Sequence, residues 1–137
     1  MARDKIHTAV RNALEKDGWK ITADPYFLRL KGVKLEVDLE AEKFIELEQA
    51  DRKILVEIKS FTRTSIPPDF YSAHGKYDFY KFGVKQLKLE HDVFLAVSTV
   101  TYQRFAAQPA FLDYLKERNS KIIIVDLNSE TVNQWIE

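Results

Sequence analysis

Ile54-Leu55-Val56-Glu57-Ile58-Lys59-Ser60-Phe61 is the most strand-like run in the chain, and it holds two charges inside an apolar stretch. Side chains two apart on a strand share a face and sit about 6.5–7 Å apart along it. Glu57 and Lys59 therefore point one way while Val56 and Ile58 point the other. Charges in such a place are costly to bury unless each finds a partner. One partner is within reach in Leu35-Glu36-Val37-Asp38-Leu39, a preceding extended run whose Asp38 lies 19 residues before Glu57. If the two runs are neighbouring strands, both carboxylates can approach one point. The competing reading is a solvated ladder of opposite charges, common on sheet faces.

Outward from this run, the chain alternates between helical and extended patterns. Asp4 to Lys16 places Ile6, Ala9, Val10, Ala13 and Leu14 on one helical stripe, and Asp17-Gly18 supplies a stop. Trp19–Ile21, Tyr26–Leu30 and Leu35–Leu39 read as strands, with turns at Asp24-Pro25 and Gly32. Glu42 to Glu48 is ambiguous between strand and helix, and Ala50-Asp51-Arg52 reads as a turn. Pro67-Pro68-Asp69 opens a long helix to about Leu89, striped by Ala73, Tyr77, Tyr80, Val84 and Leu87. Val93–Ser98 and Lys121–Asp126 are buried-type strands with a short helix from Pro109 to about Glu117 between them, and Val132, Trp135 and Ile136 tie down the tail. The order predicts one α/β (α+β) domain over residues 1–137, with a mixed central sheet and helices on both faces.

Composition narrows the chemistry. The 137 residues carry 21 Lys+Arg against 21 Asp+Glu, are 45% hydrophobic and include no cysteine. Thiolate chemistry, disulfides and Cys-ligated zinc are excluded, leaving carboxylates and histidine as the strong metal ligands. A formal charge of zero argues against gripping nucleic acid through the whole surface, so any such contact must be a local patch. The balance conceals segregation: acids gather from Glu36 to Glu48 and lysines from Lys76 to Lys88. Neither a membrane span nor a secretory signal is expected.

Two converging carboxylates repel each other, and a hard divalent cation relieves the repulsion. Mg²⁺ or Mn²⁺ suits oxygen ligands and retains water, so Asp38, Glu57 and the Ile58 carbonyl form a candidate metal site. Lys59 is then the point charge beside it, a set suited to phosphodiester hydrolysis. Lys81, Lys85 and Lys88 form a basic stripe on the long helix, either solvated or a nucleic-acid contact. Tyr71, Phe79 and Phe82 lie off that helix's main stripe, which suggests a partner or self-association into a homo-oligomer unless a loop covers them. Glu40, Glu42, Glu46 and Glu48 would extend the acidic site if strand-borne.

Asp38 with Glu57-x-Lys59 resembles the metal-binding acids and lysine of PD-(D/E)xK nucleases. The wider text, DKIHTAVRNALEKDGWKIT (4–22), VDLEAEKFIELE (37–48), ILVEIKSF (54–61), FYSAHGKYDFY (70–80) and VNQWIE (132–137), resembles the XisH family over essentially the whole chain. These are the fdxN-element excision controlling factors of cyanobacteria. The resemblance implies a restriction-endonuclease-like αβββαβ core and a cytoplasmic setting. It also implies a part in DNA-element excision in heterocyst development, beside a site-specific recombinase and a small companion factor. It implies excision more firmly than catalysis, so a non-catalytic accessory role on the same fold stays open. Where related nucleases place a Glu on the first helix, this chain has His7. Where some carry Gln-x-x-x-Tyr, it has Lys76 and Tyr80, so the lysine either meets a phosphate or pairs with Glu57 in place of a cation. Arg63 falls where fold relatives approach the phosphate backbone.

Overall fold

The computed structural model describes residues 2–137, with side chains from Lys5 onward. Helix α1 (Ala2–Lys16) is followed by strands β1 (Lys20–Ala23), β2 (Tyr26–Leu30), β3 (Val33–Val37), β4 (Leu39–Ile45) and β5 (Ala50–Ile58). Helix α2 (Pro67–Gln86) leads to β6 (Asp92–Ser98), α3 (Thr99–Ala107), α4 (Pro109–Glu117), β7 (Ile122–Asp126) and β8 (Thr131–Ile136). Six strands form one mixed sheet in the order β1-β4-β5-β6-β7-β8, and β2-β3 is a separate hairpin. Pairing is antiparallel from β1 to β5, parallel from β5 through β7, and antiparallel again at β8.

The alternation of the strands divides the core. Ile54, Val56, Phe94, Ala96, Ile123 and Val125 face α1 and meet Ile6, Val10, Ala13 and Leu14. Leu55, Val93, Leu95, Val97, Ile122 and Ile124 face the other way, under α2 and the segments carrying Phe105 and Leu115. The two late strands are covered on both faces, as their unbroken apolar runs predict. Gly18 ends α1 with a φ of +93°, the left-handed region where glycine alone is unstrained.

Five details differ from the sequence expectation. Ala50-Asp51-Arg52 is strand, not turn: the turn lies one step earlier, around Gln49, whose φ is +51°. Glu42 is strand-borne while Glu46 and Glu48 sit in that turn, so the even spacing of acids breaks there. Thr99–Ala107 forms a helix and Thr131–Ile136 an edge strand, neither anticipated. Leu35–Leu39 is not one strand, because the chain bends at Asp38 between β3 and β4.

The β2-β3 hairpin packs on α2 through Leu28, Leu30 and Leu35 around Gly83, where an added Cβ would lie 2.7 Å from Leu28 Cδ2. Leu28 is fully buried and has little room to yield. Gly83→Val is expected to cost about 2–3 kcal/mol by overpacking, measured as a lowered urea midpoint with unchanged slope.

Candidate functional site

The bend at Asp38 sets the geometry. β4 pairs with β5 so that Leu39 opposes Val56, which brings Asp38 opposite Glu57. The Ile58 amide donates to Asp38 Oδ2 at 2.7 Å, fastening the carboxylate to the end of β5. Glu57 follows the parity of Leu55 onto the α2 side of the sheet. Asp38, Glu57, Ile58, Lys59, His7 and Lys76 all line one cleft of about 360 Å³, joined by Glu36 and Ser60. Six sequence candidates, from α1, the β3–β4 bend, β5 and α2, are thus brought together.

Glu57 is the unusual group. Its side chain is only 7% exposed, and its Oε1 has no hydrogen-bond partner among the described residues. Burial and then the neighbouring Asp38 carboxylate raise its pKa to about 8, against a smaller opposing pull from Lys76. A buried carboxylate beside a second one binds a proton, or a cation, more readily than it stays bare.

Lys76 Nζ lies 3.9 Å from Glu57 Oε2, beyond hydrogen-bond range, and its side chain is 57% exposed. It faces the carboxylate without sealing the cleft. Lys59 continues the strand by one bond, its amide donating to Ala96 O at 3.1 Å, and its Nζ stands 3.9 Å from Asp69 Oδ1. Tyr80 is buried beside the cleft, where its hydroxyl donates to Glu36 O at 3.0 Å. Burial first, then the charges of Glu57, Asp38 and Glu36, hold that phenol well above its ordinary value, so it stays protonated. His7 lines the cleft, but its Nε2 is 2.8 Å from Asp24 Oδ1, and Arg11 donates to Asp24 Oδ2 at 2.7 Å. Burial pushes Asp24 upward, yet those two partners outweigh it and hold the carboxyl below its usual range.

Four candidates lie outside this cleft. Arg63 is exposed and directs its Nε toward Asp69 Oδ1 at 3.6 Å. Lys81 and Lys85 line a different groove with Tyr77, His91, Asp92 and Lys121. Glu40 shares the sheet face of Asp38 but is already occupied, accepting from Thr22 Oγ1 at 2.8 Å and pairing with His91 Nε2 at 2.6 Å.

Two residues that sequence reasoning missed hold the site in place. Asp69, buried in the first turn of α2, takes both Lys59 and Arg63. Arg104 of α3 donates to the carbonyls of Phe61, Arg63 and Thr64 at 2.8, 2.7 and 3.0 Å, clamping the segment that follows Lys59. Asp69 carried a signal, an acid just after a helix-opening Pro-Pro; Arg104 carried none, because its partners are main-chain atoms. Arg104→Ala strips a charge-assisted donor from three carbonyls and is expected to cost about 2–3 kcal/mol. Amide exchange should accelerate across residues 60–65 more than in β5.

The residues present fit a divalent cation in part. Two carboxylates and the Ile58 carbonyl make a ligand set that Mg²⁺ or Mn²⁺ completes with water, and the orphaned Glu57 Oε1 is the atom such an ion would satisfy. Among the described residues, no three His, Cys, Asp or Glu side chains converge to cage a metal on their own.

A mixed sheet flanked by helices, with an acid pair and a lysine where β5 changes from antiparallel to parallel pairing, places the chain in the mixed α/β class. The chain belongs to the XisH family, whose model, described as XisH protein, matches residues 1–133. It superimposes on the crystal structure of an XisH family protein from Nostoc punctiforme with a TM-score of 0.86 and 36% identity, over 98% of this chain and 100% of that one. It is equally similar to an fdxN element excision controlling factor protein from Anabaena variabilis, with a TM-score of 0.87 and 32% identity over 98% and 99% of the two chains. No curated protein sequence matches the chain. Among the described residues, no helix is long and apolar enough to cross a membrane.

Proposed function

We propose that this protein is an fdxN-element-type excision controlling factor that acts on DNA phosphodiesters as a metal-dependent PD-(D/E)xK nuclease. The observation that carries the reading is the Asp38–Glu57 pair at the end of β5, with a buried Glu57 Oε1 that has no hydrogen-bond partner among the described residues. Similarity to the Anabaena variabilis excision controlling factor supports the DNA-element setting. Asp38, Glu57 and the Ile58 carbonyl would hold Mg²⁺ or Mn²⁺, and the bound ion supplies charge neutralisation and a more acidic water. Asp38 is fixed for this by the Ile58 amide, and Lys59 faces Asp69 at 3.9 Å at the mouth of the cleft. Lys59 binds the scissile phosphate as a point charge. Arg63, beside it on Asp69, meets the flanking backbone, while His7, turned to Asp24, lines the entrance. A recombinase and a small companion factor are the expected partners, since a chain of zero formal charge is poorly equipped to hold DNA alone.

A second reading is favoured by Lys76. A lysine 3.9 Å from Glu57 can substitute its own charge for the cation, leaving an accessory protein that binds its companion or the recombinase without cutting. Mn²⁺-dependent cleavage of plasmid DNA separates the two. The nuclease reading expects nicking by the wild type that is lost in Asp38→Ala and Lys59→Ala. Equal cleavage by all three would mark a contaminant, and no cleavage by any would leave the accessory role.

A further inference from the structure

The β2-β3 hairpin stands apart from the main sheet, and its two faces differ in kind. Leu28, Leu30, Leu35 and Val37 turn into the core that α2 covers. The outer face carries Phe27, Arg29, Lys34 and Glu36, all exposed, with Lys31 at the turn. In the antiparallel register Arg29 lies directly opposite Lys34, a like-charge pair that weakens a hairpin. Among the described residues, no acid forms an ion pair with Arg29, Lys31 or Lys34. The turn breaks a second rule. It is Lys31-Gly32, with φ of +38° and +85°, where Asn-Gly or Asp-Gly is favoured and a lysine is strained. Costs of this kind are retained where function needs them.

The place of this face in the fold says what that function is. β3 runs straight into Asp38, and Glu36 of the outer face lines the same cleft as Asp38 and Glu57. Lys34 is four residues before Asp38, about 13 Å along an extended chain and about four base pairs of duplex rise. The hairpin is anchored, not swinging: Leu28 occupies the place of a Cβ on Gly83, and the Tyr80 hydroxyl donates to Glu36 O at 3.0 Å. The Lys34 ammonium lies 4.2 Å from the Phe27 ring centroid, which holds it over the outer face.

We propose that the outer face of the β2-β3 hairpin is a contact for the DNA backbone, with Arg29 and Lys34 on one phosphate and Lys31 reaching the next. This rests on the reading that the cleft acts on DNA, and it adds the surface that holds the duplex beside the cleft. A phosphate set between the two cations removes the repulsion that the register builds in, and Arg29 can meet it with two parallel hydrogen bonds. Contacts of this kind fix position without reading sequence. The patch also suits a chain of zero formal charge, which has no broad basic surface but can carry a narrow one. Lys81 and Lys85 fit phosphate less well, because their groove also holds Asp92.

Fluorescence anisotropy with a labelled duplex of about 20 base pairs, in EDTA at about 50 mM salt, tests the contact apart from any cleavage. The wild type is expected to bind. The double variant Arg29→Gln/Lys34→Gln should bind about tenfold or more weakly and lower the slope of log affinity against log salt by about 2. Lys53→Gln/Lys116→Gln removes the same charge from exposed positions on β5 and α4, and should leave affinity and slope nearly unchanged. Lys34→Glu separates binding from folding. It gives Arg29 an opposite charge across the hairpin, so the protein should melt no lower than the wild type while its DNA affinity falls. A wild type that does not bind the duplex, a hairpin double variant with wild-type affinity and slope, or a control pair that loses as much would each overturn the proposal. The nuclease reading fails differently: hairpin-dependent binding without Mn²⁺-dependent cleavage would keep the contact and remove the chemistry.

Discussion

Glu57→Gln is expected to make the cation-free protein more stable at pH 8–9 than the wild type, and to change it little at pH 4. The wild-type carboxyl has a folded-state pKa of about 8, raised by burial and by Asp38, whereas the unfolded chain ionises it near the ordinary value of about 4.3. Below the lower value both states hold the proton and nothing is lost. As pH rises, the unfolded state releases its proton freely while the folded state retains one. Stability therefore falls from about pH 4.5 to about pH 8 and levels above that. The loss is on the order of a few kcal/mol for a shift of this size, and glutamine removes it. His74 works in the opposite sense: burial lowers its pKa, so its contribution is lost as pH falls through the histidine range. The difference between wild type and Glu57→Gln in parallel urea titrations across pH cancels that background. A flat difference would show that Glu57 ionises in the folded protein as it does in water. Saturating Mn²⁺ should narrow the gap at high pH by stabilising the charged form.

The same features decided how far the sequence could be read. Glu57 and Lys59 stood out because charges interrupt an apolar strand, and the pairing of Leu39 with Val56 brought Asp38 to them as expected. Asp38 itself was misplaced in kind. An alternating run from Leu35 to Leu39 looks like a single strand, while the actual chain leaves one sheet and enters another at the aspartate, so the carboxylate sits at a corner. Sequence periodicity sees alternation and cannot see which neighbour each half pairs with. Helix α3 was invisible because only Thr101 and Phe105 of its nine residues are buried, too few to make a stripe. β8 hid for a similar reason: it is an edge strand, partly wet on both faces. The clamp of Arg104 on main-chain carbonyls lies beyond any residue pattern, since its specificity is in the path of the backbone. The surplus aromatics of α2 were legible as lying off its main stripe, and Tyr71, Phe79 and Phe82 are exposed.

The acids and the basic residues around them make opposite predictions when altered one at a time. Asp38→Asn is the cleaner acid variant, since an amide oxygen can still accept from the Ile58 amide at the place where Asp38 Oδ2 now does. It removes charge while keeping the bend, so the fold should persist and Mn²⁺ affinity should fall by about 100-fold or more, equivalent to about 2.7 kcal/mol. Cleavage, if the cleft cuts DNA, should fall with it. Lys76→Gln should move affinity the other way. Taking a positive charge from 3.9 Å beside Glu57 removes a repulsion toward any bound cation, worth about tenfold in affinity for a lysine this exposed to solvent. Titration of Mn²⁺ by calorimetry into the three proteins gives the order Lys76→Gln, wild type, Asp38→Asn from tightest to weakest. If the lysine instead occupies the cation's place, the wild type should bind no Mn²⁺ at all and Lys76→Gln should create binding where there was none. An Asp38→Asn protein that binds as tightly as the wild type would remove the carboxylate pair from the site, and with it the chemistry assigned to this end of β5.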